Sequence, residues 1–186
     1  MIYLDTNAIL ANYEKSSPYY SSTKKIFQIP NLEFYTGIIS ILELEAVIAR
    51  NLDVFSSKFT FLPHQELGDL ADNQKIPLIC QYMIKKLNIS MRSTATIENF
   101  EINQNKYDIL NTFYLAIRLN RDLKLRTLDA IQIASAIEIK VYYEVDLTYF
   151  LTNDQTILAQ KELILQKSRI LSISSVNLAR LLCGED

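Results

Sequence analysis

The first seven residues, Met1-Ile-Tyr-Leu-Asp-Thr-Asn7, decide the fold. Residues 1–4 are apolar without alternation, which is typical of a short strand buried on both faces of a parallel sheet. Asp5 and the two residues after it are favoured at helix starts, so a helical turn is predicted to begin near Asn7. A second strand with the same kind of ending, Tyr149-Phe-Leu-Thr152, is predicted shortly before Asp154.

The rest of the chain alternates between strand-like and helix-like patterns. Further strands are predicted at 34–38, near 97–102 and at 170–173. Helices are predicted at 18–29, 40–50, within 65–88, and at 106–120, 128–140, 154–165 and 175–183. Ser40 and Thr127 are the predicted N-terminal caps of two of these helices. Strands that alternate with helices imply right-handed βαβ units, so an α/β fold with a largely parallel sheet is expected.

The composition indicates a folded protein with one core. Of the 186 residues, 49% are hydrophobic and 22% are charged, and 3 Gly and 4 Pro leave little material for flexible linkers. One domain spanning residues 1–186 is therefore expected. No window approaches the roughly 18 apolar residues of a membrane span, and the N-terminus lacks a basic leader, so a cytoplasmic location is expected. Cys80 and Cys183 are too few and too far apart for a disulfide scaffold or a zinc site.

Four acidic residues are predicted at strand ends or helix starts. Asp5 follows the first strand, and Asp154 lies two residues beyond a later one. Glu43 and Asp129 are each expected in the first turn of a helix. Because open α/β sheets place functional groups beyond the carboxyl ends of their strands, the four side chains are expected to meet in one crevice. Helix capping and the helix dipole explain each acid singly, although Asp129 lies among unusually apolar neighbours.

A shared crevice for these acids favours a metal site. Two carboxylates about 5 Å apart repel each other by roughly 3 kcal/mol at an effective dielectric constant of about 20. Oxygen ligands without His or Cys favour Mg²⁺ or Mn²⁺ over zinc. Such an ion orients a water, lowers its pKa and stabilises charge on a phosphoryl group. His64 is the only histidine and is predicted to lie in a loop, which disfavours mechanisms that use a catalytic histidine.

A basic run precedes Asp129, although the net charge of the chain is −2. It consists of Arg118, Arg121, Lys124 and Arg126. A solvated helix end is the commoner explanation for such a run. Beside a metal site the same residues would also suit a phosphate clamp for RNA.

Four segments resemble, in order, the motifs of the PIN-domain family of metal-dependent ribonucleases, especially the toxin halves of bacterial VapBC toxin–antitoxin pairs. The segments are Ile2-Tyr-Leu-Asp5-Thr-Asn7, Thr36-Gly-Ile-Ile-Ser40-Ile-Leu-Glu43-Leu-Glu-Ala46, Leu128-Asp129-Ala-Ile-Gln-Ile-Ala134-Ser-Ala136 and Phe150-Leu-Thr152-Asn-Asp154. The resemblance implies a three-layer α/β/α sandwich around a central, mostly parallel sheet of four or five strands. It also implies a metal-dependent endoribonuclease, the toxin of a type II toxin–antitoxin pair, with RNA as substrate.

The resemblance assigns roles to particular residues. The catalytic and metal-binding set is Asp5, Glu43, Asp129 and Asp154, with Mg²⁺ or Mn²⁺ as the cofactor. Asn7 and Thr152 are expected to position those carboxylates or a water. Glu45 lies about 200° round the helix from Glu43, so both cannot easily face one metal. A small antitoxin protein and a second copy of the chain are the implied protein partners.

The chain departs from the family pattern in its length. It is longer than typical PIN toxins, and the surplus is predicted to be a helical insertion around 53–105. Val141-Tyr-Tyr stands where the family often has Gly.

Other functions remain open on the sequence. The main alternative is a PIN-like RNA-processing enzyme, or a non-catalytic module that binds RNA or protein. A phosphoaspartyl phosphatase is disfavoured, because that chemistry needs Asp-x-Asp and the chain has Asp5-Thr-Asn7. A receiver domain is disfavoured because neither an acidic pair near the first strand nor a conspicuous late lysine is evident.

Overall fold

A parallel sheet lies at the centre of the molecule. The structure, a computed structural model, describes residues 1–59 and 70–184. Its strands are β1 (Ile2–Leu4), β2 (Phe34–Thr36), β3 (Ile89–Met91), β4 (Ile97–Ile102), β5 (Asn105–Leu110), β6 (Tyr149–Leu151) and β7 (Leu171–Ile173). Five of these described strands form the sheet in the order β3-β2-β1-β6-β7, with every neighbouring pair parallel. The predicted α/β fold with a parallel sheet of four or five strands is confirmed.

Helices cover both faces of this sheet. They are α1 (Thr6–Ala11), α2 (Tyr20–Phe27), α3 (Ile38–Arg50), α4 (Leu52–Lys58), α5 (Asp72–Lys86), α6 (Asn111–Leu123), α7 (Thr127–Tyr142), α8 (Gln155–Ala159), α9 (Lys161–Ser168) and α10 (Ser175–Cys183). Ile2 and Leu4 pack against α1–α5 and α10, whereas Tyr3 packs against α6–α9. This alternation follows from the two-residue period of a strand and makes β1 the buried centre of the α/β/α sandwich.

The predicted helix at 106–120 is wrong in its first turns. Residues 105–110 form β5, which pairs antiparallel with β4, and α6 begins only at Asn111. The hairpin turn consists of Asn103 and Gln104, both with positive φ, the conformation that suits a two-residue hairpin loop. The predicted helix at 154–165 is likewise divided, because α8 ends at Ala159 and α9 begins at Lys161.

Two predicted helix caps are also wrong. Ser40 lies inside α3, and its hydroxyl points inward to the carbonyl of Leu4 and the side chain of Gln132. Thr127 is the first residue of α7, and Arg126 is its N-cap. Both side chains have suitable chemistry for caps, but α3 begins earlier, at Ile38 with Gly37 as its N-cap, and α7 begins at Thr127 itself.

The segment 53–105 is only partly helical. Its described residues form most of α4, all of α5, the strand β3 and most of the β4–β5 hairpin. The prediction of a helical insertion is therefore too simple, because β3 is an edge strand of the central sheet. Part of the helix predicted within 65–88 falls outside the described residues. Within the described part of the chain, the helices are too short or too polar to cross a membrane.

Candidate active site

Asp5 lies where the central strand β1 ends. Its backbone N–H donates to the carbonyl of Leu151 at 3.0 Å, and its side chain is 6% exposed. One carboxylate oxygen, Oδ2, accepts hydrogen bonds from Asn7 Nδ2 and Thr152 Oγ1, both at 2.7 Å. The carboxylate is thus fixed at the carboxyl edge of the sheet, where functional groups of α/β folds lie.

Thr152 and Asn7 join the ends of β1 and β6. Thr152 is fully buried, and its hydroxyl also accepts the backbone N–H of Asp154 at 3.1 Å. Asn7 accepts the backbone N–H of Asn153 at 2.9 Å through Oδ1. Both residues therefore contact Asp5 and the loop that carries Asp154. These are the contacts that their predicted supporting role requires, although the role itself stays a prediction.

Glu43 reaches the site from α3. Glu43 was predicted in the first turn of its helix. Because α3 begins at Ile38, it lies in the second turn instead. Its half-buried carboxylate accepts two hydrogen bonds at the same oxygen, Oε2. The donors are Thr6 Oγ1 at 2.6 Å and Gln132 Nε2 at 2.7 Å.

Asp129 and Asp154 complete the acidic group. Asp129 lies in the first turn of α7, as predicted, and its Oδ2 is buried without a hydrogen-bond partner among the described residues. Asp154 is the N-cap of α8, and its Oδ1 accepts the backbone N–H of Thr156 at 2.6 Å. Buried polar atoms are usually paired, so the Asp129 oxygen is an acceptor that a donor or a cation could satisfy.

Electrostatic interactions link the four carboxylates. Burial raises the pKa of Asp5 to about 7, the Thr152 hydrogen bond opposes this rise, and the charges of Glu43 and Asp129 add to it. Burial also raises the pKa of Asp129, and the charges of Asp154 and Glu43 act in the same direction. The four acids predicted from the sequence are therefore linked by pairwise charge interactions, with Asp154 joined to the others through Asp129.

The same carboxylates are not arranged as ready metal ligands. Across residues 1–59 and 70–184, no group of three or more acidic, His or Cys side chains has the spacing of a metal site. The two findings are compatible, because Coulomb interactions act over distances much longer than the roughly 2.0–2.1 Å of a Mg²⁺ bond. The donor set still fits a hard cation, since it consists of oxygen atoms and includes the unpaired Oδ2 of Asp129.

The four residues of the basic run have different surroundings in the structure. Arg126, the N-cap of α7, lowers the pKa of Asp129 through its charge and a backbone hydrogen bond. Arg118 lies on α6 with its guanidinium 5.6 Å from the centre of the Tyr114 ring. The charge of Arg121 helps to lower the pKa of Asp122. The fourth member, Lys124, is the left-handed C-cap of α6. Arg126 thus interacts electrostatically with Asp129, and an RNA-binding role for the run stays a prediction.

Two further predictions concern Glu45 and His64. Glu45 acts on Cys80 of α5, where burial and then this charge raise the pKa of the thiol to about 12. This interaction places the Glu45 charge near α5, in line with the expectation that Glu43 and Glu45 do not both face one metal. His64, predicted to be a non-catalytic loop residue, lies outside the described residues.

Sequence reasoning missed a buried polar network behind Glu43. Its members are Tyr3, Thr6, Ser40 and Gln132, all nine-tenths or more buried. Gln132 was the available signal, because it is a polar residue within the otherwise apolar run Ala130 to Ala134. A buried amide in such surroundings needs partners, which makes it a candidate for a specific contact.

Comparison with known proteins agrees with this geometry. A family model described as the PIN domain matches residues 2–163. PIN domains are generally nucleases that act on RNA and use divalent metal ions. A search among curated proteins found no match. Since the family match spans most of the 186 residues and the sheet order and flanking helices fit, the chain belongs to the PIN domain family.

Proposed function

We propose that this PIN domain is a Mg²⁺- or Mn²⁺-dependent endoribonuclease that uses Asp5, Glu43, Asp129 and Asp154. The observation that carries the proposal is the buried, unpaired Oδ2 of Asp129 within a group of mutually repelling carboxylates. Among the described residues, the ion pairs involve Asp72, Asp122 and Glu162, and none of the four site acids. The site thus has acceptors and negative charge that a divalent cation would satisfy.

The residues would share the work in a defined way. The free oxygens of Asp5, Glu43, Asp129 and Asp154 would hold the metal, which when bound supplies an activated water and stabilises charge on the phosphoryl group. Thr152 and Asn7 hold the Asp5 carboxylate in place through its other oxygen. Arg126, exposed at the start of α7, would bind a phosphate beside the scissile bond.

Removal of the metal tests this function. Purified protein is expected to cut single-stranded or loop RNA with Mg²⁺ or Mn²⁺ and to lose cutting in excess EDTA. Cutting should return on addition of Mn²⁺. Equal cleavage in EDTA would exclude the metal mechanism, whereas tight RNA binding without cleavage in either condition would favour a non-catalytic RNA-binding module.

The finer assignment is to a cytoplasmic toxin of a toxin–antitoxin pair. Clustered carboxylates with few basic neighbours suit a small protein partner that inserts Arg, Lys or an extended basic segment into the crevice. Co-expression with the product of an adjacent gene is expected to relieve toxicity and to give a complex stable on a sizing column. The absence of a growth defect on expression would favour an RNA-processing role. Homodimerisation also remains a prediction, which sedimentation of the purified chain would test.

A further inference from the structure

Gln132 occupies an unusual place behind the acidic site. It is 1% exposed on α7, with apolar neighbours on both sides in sequence. All of its side-chain polar atoms have partners. Oε1 accepts from Tyr3 Oη at 2.8 Å and from Ser40 Oγ at 2.9 Å, while Nε2 donates to Glu43 Oε2 at 2.7 Å and more weakly to Thr6 Oγ1 at 3.3 Å.

The direction of these hydrogen bonds is set by the backbone. The N–H of Gly37 donates to Tyr3 Oη at 3.1 Å, so the tyrosine hydroxyl uses its own proton to donate to Gln132 Oε1. With its carbonyl oxygen held on that side, the amide of Gln132 can present only N–H groups to Glu43. The chain of donors therefore runs in one direction, from a fixed backbone group to the carboxylate.

Gly37 makes this arrangement possible. A Cβ at position 37 would lie 2.9 Å from Tyr3 Oη and 3.1 Å from Ser135 Cβ. The first contact is closer than real Cβ atoms show, and the second is tight, so a larger residue at position 37 would require the tyrosine hydroxyl to shift. The residue that caps α3 thus also fixes the first donor of the chain.

The consequence falls on one oxygen of Glu43. Thr6 and Gln132 both donate to Oε2, whereas Oε1 receives no side-chain hydrogen bond from any residue that the structure describes. The donors are neutral, so they fix the plane of the carboxylate without cancelling its charge. Oε1 is thereby left available for a cation in the crevice.

We infer that Gln132 is a positioning residue that fixes the Glu43 carboxylate through Nε2 so that Oε1 can bind the metal. This inference rests on the proposed function. Residues that hydrogen-bond to a metal ligand typically change metal affinity or activity by about 10- to 100-fold when they are replaced. Gln132 contacts neither substrate nor metal in this scheme and acts through Glu43.

Replacement of Gln132 by methionine tests the inference. Gln132→Met keeps the length of the side chain and removes both the carbonyl oxygen and the NH2 of the amide. Calorimetry on the full chain should show Mn²⁺ binding weakened about 10-fold or more, and kcat on RNA should fall while KM stays within about threefold. A matched control is Glu138→Gln on the same helix, because Glu138 is also buried but accepts its hydrogen bonds from Asn111 and Thr112. Its Mn²⁺ affinity should stay within about twofold of wild type.

A second variant keeps the test decisive if Gln132→Met does not fold. Tyr3→Phe removes one of the two donors to Oε1 and should weaken Mn²⁺ binding in the same direction, by a smaller factor. If Gln132→Met folds and keeps its Mn²⁺ affinity and kcat, the role of Gln132 is overturned, while the metal site itself stands. If only Tyr3→Phe folds, unchanged values in that variant would overturn the role of Gln132 in the same way. Wild-type protein that binds no Mn²⁺ would instead overturn the metal site, and the role of Gln132 with it.

Discussion

Carboxylates in two regions of this molecule have opposite electrostatic surroundings. Where α6 meets α9, Asp122 forms an ion pair with Lys167, whose hydrogen bond and charge lower the pKa of Asp122. At the sheet edge, burial and neighbouring acids raise the pKa of Asp5 and of Asp129. Arg126 offsets only part of the rise at Asp129. The protein supplies a cation in the first region and mostly neutral donors in the second. In the proposed function, a cation from outside the chain would complete the acidic site.

Removal of single carboxylates should separate the two regions most sharply. Asp5→Asn and Asp129→Asn should each reduce kcat/KM for RNA cleavage by about 10²-fold or more, because each removes a charge that would hold the metal. Asp122→Asn removes an acid that has its own lysine and should stay within about twofold of wild type. Cleavage assays in Mn²⁺ on folded proteins would measure this. Equal losses in all three variants would show that the site acids have no special role.

The positions of the acidic residues in the fold could be predicted from the sequence better than the contacts around them. Asp5 and Asp154 could be placed because each follows a short apolar strand, and parallel strands bring such ends to one edge. The partners of Glu43 could not be predicted in this way. Gln132 lies 89 residues further along the chain, and only the packing of α7 against α3 brings its amide to the carboxylate.

The prediction for the β4–β5 hairpin was wrong for a different reason. Ile109 and Leu110 fit the helical periodicity of the residues that follow them, so the pattern extended α6 backwards into β5. The turn at Asn103-Gln104 lacks the glycine that usually marks a two-residue loop. The alternative pairing with β4 depends on the partner strand, which local periodicity does not report.

The two regions should respond to pH with opposite signs in EDTA. The pKa of Asp5 is raised from 3.8 to about 7 on folding, so its contribution to stability is fully present below about pH 4 and is lost as pH rises through 7. The difference between these two pKa values of Asp5 corresponds to a loss of at most about 4 kcal/mol in the free energy of unfolding. The pKa of Asp122 is lowered, so its contribution is present above pH 4 and is lost as pH falls.

Urea unfolding in EDTA between pH 4 and pH 8 would measure the larger of these effects. Asp5→Asn is expected to lose stability less steeply over this range than wild type does, because the amide has no proton to release. At pH 8 it should be at least as stable as wild type. A pH profile that Asp5→Asn leaves unchanged would show that this carboxylate is not the group that destabilises the fold.

Stabilisation of the protein by metal should depend on the carboxylates of the acidic region and not on Asp122. At a hundredfold excess over its dissociation constant, Mn²⁺ should stabilise the folded protein by about 2.7 kcal/mol, or roughly 5–10 °C in melting temperature. Asp129→Asn should lose most of this rise and melt no lower than wild type in EDTA. Asp122→Asn should keep the full rise. If Asp129→Asn instead melts several degrees lower in EDTA and responds normally to Mn²⁺, Asp129 is only a helix-start residue.

Removal of the lysine should have the smallest effect and makes the comparison sharper. Lys167→Met leaves Asp122 without its partner, as the site acids are, but Asp122 remains exposed to water. Exposed ion pairs contribute little and are screened by salt, so the melting temperature should barely change, and only at low ionic strength. RNA cleavage and the Mn²⁺ response should equal those of wild type. An additional Mn²⁺-dependent rise in this variant would mean that an unpaired carboxylate suffices to bind the ion, and that burial and clustering at the sheet edge are not required.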